Sequence, residues 1–411
     1  MSGTYGSTTT TLSSAIATKH LRELIDIAEG RLIAAKFASN QPMKRGEGGT
    51  LVYNRLLRPT LCTAAATSGT LIHGGGATVK SLTSSKVSVT PSIFQDSFAI
   101  DDDVEIEAFI TDEAQKKTIA NQMAISLDYQ VMKMLATQGM RHRIDKDAAY
   151  QSEGIVTTGT STTETRSATL AATYANDLFD VARMVVYSPS GMNYDHPARL
   201  CSNYVQSNGV LTHAAFPAAC TAGTYFRITT GTGIAATDKL TTAGLLDVQA
   251  LHDKLETQLF DDGYLRGFFD SAQYRDLWDD AIFVASGEYD MSEIWKGYRL
   301  ARWAGVELLI SSNIYREDVD ATEFGHGGAG TTGVVYVSPI FGQNAYALTP
   351  WGNGSGKFAV NWYAIDQPDS YNLTMNQKFL SWKTFWGGTA LRSTSIVNLM
   401  TGATSLSLAG L

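Results

Sequence analysis

The sequence predicts an α+β fold in which an extended β-type stretch runs directly into one long helix. Residues 50–100 alternate apolar and polar positions as strands do, with Leu51 and Tyr53 at one end and Val87 and Val89 at the other. The stretch is too rich in Gly, Ser and Thr to form a core, and a hairpin without a core is marginal in water. We therefore expect it to lie against another copy of the chain.

The long helix is predicted from Asp103 to Gln138, with Gly139 as its stop. At 1.5 Å per residue it would be roughly 50 Å long. Acidic residues crowd its first turns and basic residues follow its far end, as the helix dipole favours. Its apolar stripe is Ala120, Ala124, Leu127, Val131, Met134 and Gln138, and the basic residues after it are Arg141, His142, Arg143 and Lys146.

The rest of the chain shows helix-like and strand-like patterns in turn. We predict helices over Asp177 to Tyr187, Leu245 to Leu259 and Ser271 to Ile282, and an irregular, uncharged insertion over 188–240. Strands are predicted over Tyr264 to Phe269, Gly305 to Ile310, Val334 to Val337 and Ala345 to Leu348. Residues 373–400 are predicted to form two long strands joined at Gly387-Gly388, with core packing by Trp382, Phe385 and Trp386.

Charge is spread unevenly along the 411 residues, whose net charge is −8. Residues 1–100 hold ten Lys/Arg and five Asp/Glu, a balance of +5, and the remaining residues hold 22 and 35, a balance of −13. An acidic chain is not typical of a general nucleic-acid binder. A basic first segment on an acidic body suits pairing between neighbouring subunits, although a solvated imbalance would give the same counts.

No motif points to catalysis, a cofactor or a metal. His73-Gly-Gly-Gly lacks a Gly-x-Ser-x-Gly partner, and the glycine runs at 325–330 and 352–357 lack phosphate-loop spacing. Three cysteines form neither a zinc pattern nor a disulfide framework. The acidic run from Asp101 to Glu107 could attract a divalent cation, but the helix dipole explains it without one. Neither a signal core nor a membrane span is predicted.

Five segments, taken in order, resemble the major capsid protein of tailed bacteriophages, the Hong Kong 97-like fold. They are similar to one capsid family within it, typified by the major coat protein of N-four-like phages. The segments are VSVTPSIFQDSFAIDD at 87–102, YLRGFFDSAQYRDL at 264–277, GVELLISSN at 305–313, FGQNAYAL at 341–348 and NQKFLSWKTFWGG at 376–388. Their order is the specific part, and residues 188–240 depart from the pattern.

The resemblance implies a division of the chain. It has an N-terminal arm at 1–48, an extended loop at 49–102 and a peripheral domain with the spine helix at 103–153. An axial domain with the 188–240 insertion follows at 154–365, and a C-terminal β hairpin returns to the peripheral domain at 366–411.

The resemblance also implies a function. Copies of the chain, as hexamers and pentamers, would form an icosahedral shell around double-stranded DNA, without catalysis, sequence-specific binding or a membrane. Portal, scaffolding and decoration proteins are the implied partners. The shell would be part of the virion and would be made in the bacterial host cytoplasm. No long charged coiled coil precedes the loop, so we expect a separate scaffolding protein or none.

In such a shell the extended loop of one subunit lies over the spine of the next. We therefore predict that loop cations face acidic residues on a neighbour, while solvation of both sets is the plain alternative. The predicted contact residues are Arg55, Arg58, Lys80 and Lys86 on the loop, and Asp101, Asp102, Asp103, Glu105 and Glu107 at the helix start.

Two other classes of function stay open at this point. An encapsulin-like compartment uses the same fold to hold a cargo enzyme, and a neighbouring cargo gene would favour it over portal and terminase genes. An extracellular carbohydrate-active enzyme would suit the aromatic and Ser/Thr content, but the sequence has neither a signal peptide nor a recognisable carboxylate pair.

Overall fold

The structure is a computed structural model that forms two compact units. It describes residues 33–43, 49–56, 84–101, 112–159, 161–171, 173–175, 178–179, 182–187, 197–216, 220, 222–283, 300–318, 334–350, 360–365 and 377–403. The first unit combines Met1–Leu51, Val89–Val131 and Leu348–Gly388, and the second combines Val52–Ser88, Met132–Ala347 and Thr389–Leu411.

Helices and strands are both present, which confirms the mixed fold class. The helices are Asp112–Gln138 (α1), Thr242–Lys254 (α2) and Ser271–Trp278 (α3), with 3-10 turns at Ala34–Phe37 and Ser393–Ser395. The strands are Ser39–Asn40 (β1), Leu51–Leu56 (β2), Ser84–Val89 (β3), Ser92–Asp101 (β4), Met140–Arg143 (β5), Gln151–Ile155 (β6), Thr158–Gly159 (β7), Glu164–Arg166 (β8), Arg183–Tyr187 (β9), Arg199–Val205 (β10), Val210–His213 (β11), Tyr225–Thr229 (β12), Leu265–Phe269 (β13), Leu300–Trp303 (β14), Val306–Ile310 (β15), Arg316–Asp318 (β16), Val334–Phe341 (β17), Tyr346–Pro350 (β18), Val360–Ile365 (β19), Gln377–Ala390 (β20) and Ile396–Thr401 (β21).

The sheet of the first unit has the order β1-β18-β20-β19, and β4 pairs antiparallel with β20 from Ser92 to Asp101. Trp382 and Trp386 on β20 are 4% and 3% exposed, which confirms the predicted core packing of these tryptophans. Phe385, predicted to pack with them, lies on the opposite face of the sheet and is half-buried, because side chains alternate along a strand. Gln122 of α1 accepts a hydrogen bond from Trp382 Nε1 at 3.3 Å and donates one to Asp96 at 3.1 Å. The helix thereby lies against the tryptophan-bearing face of β4 and β20.

The second unit contains a mixed sheet of order β14-β15-β13-β17-β21-β5, with β16 beside β17. Strand β13 is parallel to β15, and α3 follows β13 directly. A capping box starts α3, because Asp270 accepts from Ala272 N while Gln273 accepts from Asp270 N. Leu245, Leu277 and their neighbours pack on the sheet as one buried cluster.

A second sheet in this unit has the order β6-β12-β9-β10-β11-β8-β7 and its own core. It includes residues from 199 to 229, so the prediction of an irregular insertion over 188–240 was wrong. It also includes β9, so the helix predicted from Asp177 to Tyr187 was wrong. Met184, Val185 and Val186 are all buried, and a strand buried on both faces does not alternate apolar and polar residues.

Most other elements agree with the sequence. Strands β13, β15, β17 and β18 and helices α2 and α3 lie within or beside their predicted ranges. Helix α1 ends at Gln138 as predicted, and 27 residues give it a length of about 40 Å. Its predicted start at Asp103 falls on residues outside the described ranges. Strands β2 and β3 pair with each other, and Val87 and Val89 are buried while Lys86 and Ser88 are exposed.

The turn predicted at Gly387-Gly388 was wrong, since β20 runs through both glycines. A Cβ on Gly387 would lie 2.7 Å from Val89 Cγ1 and 3.0 Å from Thr90 O, so close packing explains this glycine. Strands β20 and β21 also do not pair as a hairpin: β20 pairs with β18, β19 and β4, whereas β21 pairs with β17 and β5. The predicted domain boundaries otherwise stay predictions.

Candidate subunit-contact surfaces and a buried charge network

The predicted loop cations are described only in part. Lys86 is exposed on β3, next to the buried Val87. Arg55 lies in β2, but its side chain is not among those that the structure describes. Arg58 and Lys80 lie outside the described residues.

The predicted acidic partners are also mostly outside the described residues. Asp101 is the last residue of β4, where its backbone is paired with Gln377. Asp102, Asp103, Glu105 and Glu107 fall in the range 102–111, which is not described. The proposed pairing of loop cations with these acids therefore stays a prediction.

One surface of the first unit leaves apolar side chains exposed. Ile93 of β4 is 54% exposed and is paired across the sheet with Phe385 of β20, on the face opposite Trp382 and Trp386. Lys383 Nζ lies 5.0 Å from the centre of the Phe385 ring. We call Ile93, Lys383 and Phe385 the outer face. Coverage by another protein would remove this apolar cross-strand pair from water.

Part of the predicted N-terminal arm is anchored in the same unit. Ala34 N donates to the buried carboxylate of Asp128 on α1 at 3.0 Å. Gln41 N and Met43 N donate to the carbonyls of Leu348 and Pro350 at 3.2 and 3.0 Å. These bonds hold residues 34–43 by main-chain contacts that a sequence pattern does not show.

The basic residues after α1 do not act mainly on the helix dipole, as the sequence suggested. Arg141, His142 and Arg143 lie in strand β5, whose side chains are buried, whereas Lys146 is exposed and paired with Asp247. Arg141 forms a bidentate ion pair with Glu317 of β16. Arg143 is paired with Asp145 at 2.6 Å, donates to the carbonyls of Thr230 and Thr232 at 2.8 and 2.6 Å, and lies over the Tyr150 ring.

The end of α1 is satisfied instead by residues of the C-terminal strands. Asn398 Nδ2 donates to the carbonyl oxygens of Leu135 and Ala136, both at 3.0 Å. Gln138 Oε1 accepts from Ala390 N at 2.7 Å. The role of Asn398 could not be predicted from the sequence, because its hydrogen bond to Leu135 joins residues 263 positions apart and no local pattern indicates it.

A second polar cluster surrounds the start of α3. Arg316 donates to Asp270 at 2.6 Å, and the fully buried Gln273 is bonded to Thr401 at 2.6 Å and to Ser338 at 2.8 Å. Each of these side chains makes at least one hydrogen bond, as buried polar groups require, while Arg316 Nε has no partner among the described residues. The cluster therefore positions α3 on the sheet.

Three buried histidines are held neutral. Burial, with Arg227 as the next cause, lowers the pKa of His142 to about 4. Burial likewise lowers the pKa of His252 to about 4 and lowers the pKa of His213. None of these imidazoles is exposed to a substrate.

The motifs weighed for other chemistry add no site. His73-Gly-Gly-Gly and the glycine runs at 325–330 and 352–357 lie outside the described residues. Within the described ranges, no three His, Cys, Asp or Glu side chains are grouped as metal ligands, and no helix has the length and apolarity to cross a bilayer. Cys201 and Cys220 are buried and are not joined in a disulfide.

The comparisons with known proteins find structural likeness without sequence relatives. No protein-family model and no curated protein matches the chain. Among solved structures, the capsid of Ralstonia phage GP4 is 13% identical with a TM-score of 0.48, covering 89% of this chain and 88% of that one. The capsid of cyanophage Pam1 is 13% identical with a TM-score of 0.48, covering 91% and 92%.

The capsid of cyanophage P-SCSP1u is 11% identical with a TM-score of 0.45, covering 89% of this chain and 87% of that one. Because each TM-score is below 0.5, the function proposed below depends on the chain's own sequence and geometry.

Proposed function

We propose that the chain is the major capsid protein of a tailed bacteriophage and that it assembles into an icosahedral shell around double-stranded DNA. The observation that carries this is a set of exposed apolar side chains on the strands of the extended loop and on the long helix. Val52 on β2, Ile93 on β4 and Ile125 on α1 are 46%, 54% and 47% exposed. Exposed apolar side chains on the two-stranded extended loop and on the helix favour burial by neighbouring copies of the chain.

The order of elements supports the same proposal. An arm, a two-stranded extended loop, a long helix, an α/β section and long C-terminal strands follow one another, as they do in the capsid proteins that the sequence resembles. Many modest contacts between identical subunits, arranged as hexamers and pentamers, would supply the strength of the shell.

The partners and location follow from that role. DNA would be enclosed without sequence readout, because an acidic body does not neutralise many phosphates. Portal, scaffolding and decoration proteins would complete the particle. The chain would be made in the host cytoplasm and reside in the virion capsid, and its role would be structural and not enzymatic.

The proposal is tested first by electron microscopy of the purified chain in negative stain. Regular closed shells support it, and a chain that stays monomeric under all assembly conditions contradicts it. Nuclease-protected DNA in shells recovered from infected cells favours a virus, whereas shells that contain one enzyme and no DNA favour the encapsulin-like compartment.

The predicted electrostatic contact has its own test. Arg55→Glu with Arg58→Glu should reduce the yield and heat resistance of shells, since two attractions become repulsions. The matched control is Arg166→Glu with Lys254→Glu, which changes the net charge equally at exposed cations of the second unit. If both double variants give the same yield and heat resistance of shells, the predicted contact is wrong, and the capsid proposal is unaffected.

A further inference from the structure

His142 lies where the two sheets of the second unit meet. It belongs to β5 of the mixed sheet, and Arg227 of β12 in the other sheet donates to its Nδ1 at 2.6 Å. The imidazole is 9% exposed and the Arg227 side chain 6%. The contact is thus buried in the body of the unit.

The direction of this hydrogen bond fixes the protonation state of the histidine. A guanidinium has only donors, so Nδ1 must offer a lone pair and the ring must be neutral. Its proton is therefore on Nε2, which has no hydrogen-bond partner among the described residues. A second proton could go only to Nδ1, where it would face the guanidinium.

Each carboxylate near His142 in the described part of the chain already lies beside another cation. Glu153 of β6 is bonded to Arg227 at 2.7 Å, and Asp247 of α2 is paired with Lys146 at 2.6 Å. Asp145 is paired with Arg143 at 2.6 Å. The remaining titratable neighbour is Tyr187 of β9, which lies near Arg227 and whose pKa burial raises to about 12.

The other bonds that join β5 to the β12 segment do not involve a histidine. Thr229 Oγ1 donates to Arg141 O at 3.3 Å, and Arg143 donates to the carbonyls of Thr230 and Thr232. Burial acts to raise the pKa of Asp145, but hydrogen bonds from Arg143 outweigh it and leave that pKa below its usual value. The Arg143–Asp145 pair therefore persists in moderate acid.

We propose that the His142–Arg227 contact is an acid-sensitive joint between the two sheets: protonation of Nδ1 replaces the hydrogen bond with two facing cations, and β5 and β12 separate locally. The inference concerns the folded chain and does not depend on assembly. Closed, the joint keeps His142 neutral down to its lowered pKa of about 4. Open, the ring regains its ordinary pKa of about 6.5 and takes up a proton. The open state is therefore favoured as pH falls from about 6.5 to about 4, about tenfold per pH unit.

Hydrogen exchange on the full chain, followed by mass spectrometry and corrected for intrinsic rates, measures this opening. Between pH 6.5 and pH 4.5 we expect peptides covering 140–147 and 225–232 to lose protection by up to about fortyfold. His142→Gln keeps an acceptor for Arg227 and cannot be protonated, so it should abolish that loss. His213→Gln, a buried histidine away from the joint, should retain it.

Either of two results would overturn the proposal. One is a wild-type chain whose 140–147 and 225–232 peptides keep their protection at pH 4.5. The other is a His142→Gln chain that loses protection there as the wild type does. Should His142→Gln fail to fold, Arg227→Gln replaces the facing cation by an amide and must show a reduced acid loss, and an undiminished loss in that variant counts against the joint.

Discussion

Asn398 offers a direct test of how the end of α1 is held. Its amide donates to Leu135 O and Ala136 O at 3.0 Å each, and the side chain is fully buried on β21. Asn398→Ala removes both donors and leaves buried carbonyl oxygens short of a partner. At about 1–3 kcal/mol for a lost buried bond, and allowing that Leu135 O also accepts from Gly139 N, we expect a loss of about 2–4 kcal/mol.

Urea unfolding of the full chain, followed by far-ultraviolet circular dichroism, measures that loss. Asn203→Ala is the matched control, since Asn203 is exposed on β10 and should cost less than about 0.5 kcal/mol. Asn398→Asp keeps the shape but places a carboxylate against carbonyl oxygens. Because burial raises the pKa of such a carboxyl, its penalty should grow from pH 5 to pH 8. An Asn398→Ala chain as stable as the Asn203→Ala chain would refute this account of the helix end.

Three further substitutions test other parts of the second unit. His252→Gln should remove part of the acid sensitivity of folding stability. A histidine pKa lowered from 6.5 to about 4 corresponds to about 3 kcal/mol of stability, which is present in full above pH 6.5 and is lost as the pH falls to about 4. The urea midpoints of wild type and variant should therefore converge in acid. A constant difference at all pH values would contradict this. Gly139→Ala should lower the free energy of unfolding by about 1–3 kcal/mol, because the added Cβ would lie 2.6 Å from Ile396 Cγ2. Gly49→Ala, which has open space around the added Cβ, is the control and should leave thermal unfolding nearly unchanged. Asp270→Ala removes both the α3 cap and the Arg316 ion pair, and should lower the free energy of unfolding in urea by about 2–3 kcal/mol. Asp270→Asn keeps a capping oxygen and should lower it by less. Equal losses of stability in the two variants would argue against the cap.

The regular elements could be predicted where burial is one-sided. Helix α1 carries a continuous stripe in which Ala120, Ala124, Leu127 and Val131 are at most 1% exposed, and that period is visible in the sequence. The same holds for β3, whose alternating exposure follows its alternating residue types. The prediction failed at β9, where both faces are buried and the apolar run fits a helix as well as a strand.

Glycine caused a further error in the fold, because a glycine can be required either by a turn or by close packing. Gly387-Gly388 satisfies the pattern of a turn, yet the position is occupied by a strand that Val89 and Thr90 approach too closely for a side chain. Gly139, by contrast, ends a helix as predicted and also packs against Ile396 and Asn398. Sequence indicates that a side chain is absent and does not indicate which neighbour requires its absence.

The charged groups around β5 show why their partners could not be predicted. Arg141, His142 and Arg143 follow a helix, so the nearest physical explanation was the dipole of that helix. Arg143 is paired with Asp145 two residues on, but the other partners are Glu317, Arg227 and the Thr230 carbonyl, each more than 80 residues away. A cation buried in this way is stable only when its partner has arrived, because an unpaired buried charge is strongly unfavourable. Strand β5 is therefore expected to become ordered together with β12 and β16, and the end of α1 to depend on β21. These elements are therefore held in place by polar contacts between distant residues, which cannot be read from a single sequence.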